Sequence, residues 1–408
     1  MTYLVVAIGL LLLIFLHELG HFAAARAVGI KPRKFYVGFP PALVKVTRNG
    51  VEYGIGAIPL GGYVRIPGMH RPAARDFDAW IRPALNEEAA FAPVVQRVRR
   101  QLDAENFSGA REELPKLHEL LELSKLSPGA ERSAERAVRE LDEATGSDAY
   151  WRQPTWKRLV VIAAGPLANV LVAFVIFFAV FAAGAPTGDP STEVGAVSQG
   201  TPAAAAGLQA GDRIVAVNGV ETSTFDAVSK RIRATQGRLV TVVVDRNGKR
   251  LSLGPRKTIE QDGRYIFGFV PAAKLVSYGA GESASKSASM LWQITTGTGT
   301  AIGGLFHSQE RKQLTGTVGI VKASAAALRI GVPYYLEILG LVSMSLALLN
   351  LLPLLPLDGG HIAVSIVESI RRRALPREVY ERVSVIGIAI VLFVAVIALN
   401  NDLTGGAR

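Results

Sequence analysis

His17-Glu18-Leu19-Gly20-His21 places two imidazoles four residues apart with a carboxylate next to the first. On a helix, His17 and His21 stand one turn apart on one side, where both can reach a single Zn²⁺, while Glu18 projects about 100° away. Bound zinc lowers the pKa of its water, and a neighbouring glutamate can take the proton, which is hydrolytic chemistry at neutral pH. The motif ends an apolar run that begins at Tyr3. Ionisable residues at such a depth are costly in lipid unless they have a partner or a metal. The bland alternative is a pair of histidines that bond only to neighbouring helices.

Two histidines leave a catalytic zinc one protein ligand short. Asn350-Leu-Leu-Pro353-Leu-Leu-Pro356-Leu-Asp358-Gly359-Gly360-His361 supplies a candidate in Asp358. Its two prolines cannot continue a regular helix, and Gly359-Gly360 lets the backbone pass close to another element. An aspartate here can equally be a helix cap, so on spacing alone both roles stand. His70, His118 and His307 have no metal-like spacing with partners.

These residues need a frame that holds them at one depth. Of the 408 residues, 49% are hydrophobic, too apolar an average for an ordinary soluble enzyme. Four stretches are long and uncharged enough to span a bilayer: Tyr3 to about Val28, Leu159 to Ala183, Ile338 to Leu357, and Val383 to Leu399. The first lacks a basic leader and a small-residue cleavage site, so it is expected to be retained. Basic residues cluster in the loop after the first span, before the second (Arg152, Lys157, Arg158) and after the third (Arg371, Arg372, Arg373, Arg377), whereas Arg408 alone follows Leu399. The first and third clusters put the motif end of span one and Asp358 at the cytoplasmic side, with both termini outside.

The chain has no cysteine, which excludes a disulfide scaffold, thiolate metal sites and a cysteine nucleophile. Its net charge of +11 is uneven, since residues 71–150 carry 28 of the 79 charges and net −4. Glu and Arg interleave there at helical spacing around a Ser127-Pro128-Gly129 break, which reads as an inserted, solvated helical hairpin or as a charged linker. Ala42 to Pro59 reads as two β-rich arms around an Asn49-Gly50 turn. From Thr192 to Lys274 short β runs and turns include Gly207-Leu208, Gly211-Asp212-Arg213-Ile214 and a helix from Phe225 to Ala234. That order resembles a bacterial PDZ domain, in which a peptide end adds a strand beside a helix.

Taken together, the His-Glu-x-x-His and Leu357-Asp358-Gly359 pair resembles the site-2 protease family of intramembrane zinc metalloproteases, in its RseP-like branch. Tyr36-Val37-Gly38-Phe39, Ile58-Pro-Leu-Gly-Gly-Tyr63-Val-Arg-Ile-Pro-Gly-Met69 and Ala164-Gly165-Pro166-Leu167-Ala168-Asn169 also fit. Residues 72 to 150 lie outside the resemblance. Pro40 and Thr317, in Leu314-Thr-Gly-Thr317, depart from the usual pattern.

The resemblance implies His17, His21 and Asp358 as zinc ligands, Glu18 as general base and Asn350 near the substrate. The implied fold is an α-helical polytopic membrane protein with about four transmembrane helices, a re-entrant β-hairpin, an extracytoplasmic PDZ-like α+β domain and a cytoplasmic helical insertion. Its expected parts are 1–71 (first span and hairpin), 72–150 (insertion), 151–184 (second span), 185–274 (PDZ-like), 275–330 (extracytoplasmic connection) and 331–408 (last two spans). The implied activity is cleavage of transmembrane segments in single-span proteins, such as anti-sigma factors or remnant signal peptides, in regulated intramembrane proteolysis at a bacterial inner or plasma membrane. The expected partners are these substrates, the lipid bilayer and a peptide C-terminus in the PDZ groove, with no nucleic acid. The rival readings are an inactive PDZ-bearing membrane receptor or scaffold and, more weakly, a zinc transporter.

Overall fold

The structure, a computed structural model, describes residues 1–261, 263–304 and 315–404. His307, Leu314 and Arg408, which enter the sequence reading, lie outside them. The chain forms two compact units, Ala7–Val172 with Ser343–Arg408 and Met1–Val6 with Ala173–Val342. It is mostly helical, and four helices are long and apolar enough to cross a membrane: Thr2–Ala27, Thr155–Ala183, Val332–Asn350 and Glu378–Thr404.

In the first unit, α1 (Thr2–Ala27) leads into β1 (Lys34–Arg48) and β2 (Val51–Arg65), joined at Asn49 and Gly50. Both turn residues have positive φ, 52° and 75°, which lets two antiparallel strands twist together without splaying. The strands are longer than the two arms expected from the sequence, and each is bent. Residues 42–48 pair with 51–56, while Phe35 is matched with both Tyr53 and Val64, and Val37 with both Ile55 and Gly62. The hairpin is thus folded over into four adjacent segments, with residues 62–65 on one edge and the exposed Leu43, Val44 and Val46 on the other.

Residues 72–150 form five helices, more than the expected helical hairpin: α2 (Ala74–Glu87), α3 (Phe91–Asp103), α4 (Phe107–Glu112), α5 (Leu114–Leu123) and α6 (Pro128–Thr145). The Ser127-Pro128 break is the start of α6, where Ser127 Oγ accepts from the Ala130 amide. Phe77, Ile81, Phe91, Val98, Leu117, Val138 and Leu141 share one buried core. A fully buried side chain such as Phe91 contributes about 1.5–3 kcal/mol relative to exposure, so this insertion has its own reason to fold. Arg65 bonds Glu140 and Glu143, each at 2.8 Å, and ties α6 to the edge strand.

The remaining elements of this unit are the first part of α7 (Thr155–Ala183) and the C-terminal helices. Val332–Asn350 ends well before Asp358. The chain turns through Leu351–Leu357, as its two prolines require, and restarts as a separate helix, Asp358–Arg371. The last helix is Arg377–Thr404.

The second unit contains a five-strand path β10-β3-β4-β6-β7, in which β3 is Ala185–Val197, β4 is Arg213–Val217, β6 is Leu239–Arg246, β7 is Lys249–Lys257 and β10 is Phe269–Val276. A two-residue β5 (Val220–Glu221) pairs with β4, and β8 (Ile259–Gln261) pairs with β9 (Arg264–Ile266). The helix Phe225–Arg233 supplies Val228 and Ile232 to the core, together with Val194, Ile214, Val242 and Phe267. Asp212 is buried and takes a forked ion pair from Arg246, at 2.6 and 2.7 Å. Ala280–Gly304 and Thr317–Ile330 are helical, where the sequence reading had only a connecting segment.

Candidate metal centre

Helix α1 carries two functional faces. Phe15, Glu18 and Phe22 recur at three and four residues and form the face toward the β-hairpin. Phe35 of β1 meets Phe15 and Phe22 edge-on, with ring centroids 5.6 and 5.2 Å away. Glu18 lies against Gly62 of the edge segment, where an added Cβ would come within 2.8 Å of Glu18 Cγ.

The other face meets α7. Gly20 permits close backbone approach, since a Cβ there would strike the Ala164 carbonyl. Gly165 does the same for His21, whose ring occupies the space that a side chain would fill. His21 Nδ1 lies 2.9 Å from Val161 O. A carbonyl can only accept, so Nδ1 carries the proton and Nε2 keeps its lone pair for a metal.

Asp358 comes from the helix that restarts after the proline turn. Leu357 occupies its N-cap position without a side-chain cap bond, whereas Asp358 Oδ2 lies 3.2 Å from His17 Nε2 and 3.3 Å from His21 Nε2. The two Nε2 atoms are themselves 3.3 Å apart. His17 and His21 are each 7% exposed, so little water is available to compensate three converging lone-pair donors. This set is one that a cation would stabilise. Zinc bonds of about 2.0–2.1 Å in tetrahedral geometry separate neighbouring ligands by about 3.3–3.4 Å, so the observed triangle fits a zinc face, with a fourth position for water or substrate. Among the described residues it is also the one group of three or more His, Asp or Glu side chains gathered to metal-binding distances.

Asn350 is not part of that triangle; its Nδ2 donates to Leu346 O one turn back, at 3.0 Å. His361 lies one turn after Asp358 and shares a hydrogen bond with Tyr380 Oη, 3.2 Å from Nδ1. His70 packs edge-on against Tyr380. His361, Tyr380, Arg158, Glu368 and Met69 are among the residues around a cavity of about 990 Å³ beside the insertion. The sequence reading did not assign Gly165, Gly62 or the Val161 carbonyl to the site. The available signal for the two glycines was a small residue interrupting an apolar helix or a β pattern.

Comparison with known proteins agrees with this chemistry. The profile described as Peptidase family M50 matches residues 5–394. Zinc metalloprotease RasP of Geobacillus kaustophilus is 29% identical over 406 residues, spanning 96% of this chain and 95% of the relative. A relative from Agrobacterium fabrum is 29% identical over 409 residues, 96% of this chain and 93% of its own length. One from Lactococcus lactis is 29% identical over 424 residues, 96% of each chain. The names of both also contain the words zinc metalloprotease. With a family match across nearly its whole length, the chain belongs to peptidase family M50, the site-2 protease family, and is a zinc metalloprotease.

Proposed function

We propose that this multi-pass membrane enzyme cleaves transmembrane segments of single-span proteins, with His17, His21 and Asp358 as its zinc ligands and Glu18 as its general base. The convergence of His17 Nε2, His21 Nε2 and Asp358 Oδ2 carries this reading. Zinc, when bound, supplies Lewis acidity to the scissile carbonyl and to the attacking water. Glu18 Oε takes a proton from that water and passes it to the leaving amine. Asn350 lines the substrate path and offers a polar group to the developing oxyanion.

A peptide bond inside a substrate helix is shielded and must be opened before attack. The 62–65 edge supports an opening route, because its pairing with 34–37 leaves the other side free of strand partners among the described residues and Gly62 sits against Glu18. A substrate that adds there as an extended strand exposes its backbone next to the base. In this reading the hairpin is a re-entrant membrane element, as the exposed Leu43, Val44 and Val46 favour, and residues 185–274 are a PDZ-like domain that binds chain ends or excludes untrimmed proteins. The basic flanks support an outward PDZ-like domain and a cytoplasmic insertion in a bacterial inner membrane.

The test is cleavage of a single-span reporter in reconstituted vesicles. Glu18→Gln should keep zinc while lowering cleavage by about 10²- to 10⁴-fold, since the amide cannot accept the water's proton. Turnover near that of the unsubstituted enzyme would overturn the assignment.

A further inference from the structure

In Ala164-Gly165-Pro166-Leu167-Ala168-Asn169, where Gly165 makes room for His21, the asparagine is left without a role by this mechanism. Asn169 is fully buried, and both Oδ1 and Nδ2 lack a hydrogen-bond partner among the described residues. Leaving such an amide unsatisfied costs about 1–3 kcal/mol for each group, so its retention calls for a partner. A second orphan is His17 Nδ1, also buried and unbonded. Metal-binding histidines almost always donate the other ring N–H to an acceptor, which fixes the ring and strengthens the ligand. His21 has Val161 O for this purpose. His17 Nδ1 has no such acceptor among the described residues.

Helix register brings the two orphans to one layer. Ala25 packs with Val161 and Ile162, whereas Gly20 meets Ala164 and Ala168, so descending α1 corresponds to ascending α7 and the helices are antiparallel. His21 lies at the level of Val161 and Gly165. One turn earlier on α1 is His17, and one turn later on α7, on the same row as Val161 and Gly165, is Asn169. Asn169 also faces the helix Val332–Asn350, because Ser343 Oγ donates to its backbone carbonyl at 2.8 Å. It therefore sits between helices, away from lipid.

We infer that Asn169 is a positioning residue: its Oδ1 accepts the His17 Nδ1 proton, directly or through one enclosed water, and holds His17 Nε2 toward the metal. A side-chain rotation or one water would connect the two groups, and buried waters typically serve such orphaned polar atoms. The inference rests on the assignment of His17 as a zinc ligand.

The experiment measures zinc affinity of the full-length protein in detergent by competition with a chelator. His17→Ala tests the ligand assignment and should abolish tight binding. Asn169→Leu, similar in size but without an acceptor, should weaken zinc binding about 10- to 100-fold. Asn169→Asp keeps the acceptor and should hold zinc at least as well as the unsubstituted protein. Ser343→Ala, which removes only the helix-tying bond to the Asn169 carbonyl, should leave the affinity unchanged. A folded Asn169→Leu protein with zinc affinity within about threefold of the original overturns the inference, even where His17→Ala has confirmed the ligand. Should Asn169→Leu fail to fold, a histidine-selective ¹⁵N spectrum of the unsubstituted, zinc-loaded protein decides, because the chain has six histidines. The His17 Nδ1 proton should be protected from exchange. Free exchange with water at that position overturns the inference as well.

Discussion

Gly165→Ala makes a severe test of the idea that the space between α1 and α7 shapes the metal site. The added Cβ would stand 2.6 Å from His21 Cε1 and 2.7 Å from His21 Cδ2, with Nε2 closer still. Ordinary contact begins at about 3.4 Å, so relieving the two carbon contacts alone needs a retreat of about 0.7–0.8 Å and the Nε2 contact needs more, several times the roughly 0.2 Å tolerance of a metal–ligand bond. Retreat of the ring also pulls Nδ1 from Val161 O, now at 2.9 Å. Outer-shell changes cost about 10- to 100-fold in metal affinity, and displacement of a ligand itself should reach at least the upper end of that range. The assay is zinc content and chelator competition on purified protein, with protease resistance as the check on folding. Gly129→Ala, where an added Cβ meets nothing within 4 Å, is the control. A folded Gly165→Ala protein with full occupancy and unchanged affinity would refute the packing argument, for it would mean that His21 can be moved without consequence for the metal.

Three further outcomes are expected. Asp358→Asn should lower both zinc occupancy and cleavage, because a neutral amide is a poor replacement for an anionic ligand; unaltered metal content by mass spectrometry would move the third ligand elsewhere. Tags placed at the N-terminus and within Thr192–Lys274 should react with an impermeant reagent from outside, and one within 72–150 only after the membrane is opened; the reverse pattern would contradict the charge argument. Burial pushes the Asp212 carboxyl up, but Arg246 and the Gln209 amide outweigh it and hold the group below the usual carboxylate range. This contribution is present above about pH 4 and lost as pH falls through the lower folded value, since the unfolded chain then binds the proton first. Asp212→Asn should accordingly cost about 1–2 kcal/mol of local stability at pH 7 by removing the carboxylate from Arg246, which keeps its bond to Gly207 O, with the difference narrowing below about pH 4 when amide exchange of β4 and β6 is followed.

What the sequence made legible follows physical period and cost. Four apolar runs marked the membrane-length helices, and the His17–His21 spacing marked two donors on one helical side, because both signals are local. Asn49-Gly50 marked the hairpin turn for the same reason. The helix that begins at Asp358 was harder to see: Pro353 and Pro356 announced a break, but only the folded chain reveals that the break places Asp358 Oδ2 against the two imidazoles of α1, near the other end of the sequence. The doubled pairing of residues 34–37 was hidden too, since strand alternation says which side a residue faces but not that a long strand will bend and pair twice. In residues 72–150 the charges concealed a core, as helices that bury narrow apolar stripes under Arg and Glu have polar averages.

The glycines carry the larger point about the site. Gly20, Gly62 and Gly165 donate no atom to a metal, yet each makes room for a different neighbour around α1: the α7 backbone and the His21 ring on one face, and Glu18 beside the edge strand on the other. Composition reads them as weak helix or strand formers, costing roughly 0.5–1 kcal/mol each relative to alanine. Their value lies in what approaches them, and that is a property of the packed pair of elements, not of either segment alone. A helix bearing His-Glu-x-x-His therefore cannot be made into this centre by its own sequence. It requires one neighbour with a glycine where the imidazole lies flat, a second with a glycine where the carboxylate passes, and a third that breaks before its aspartate.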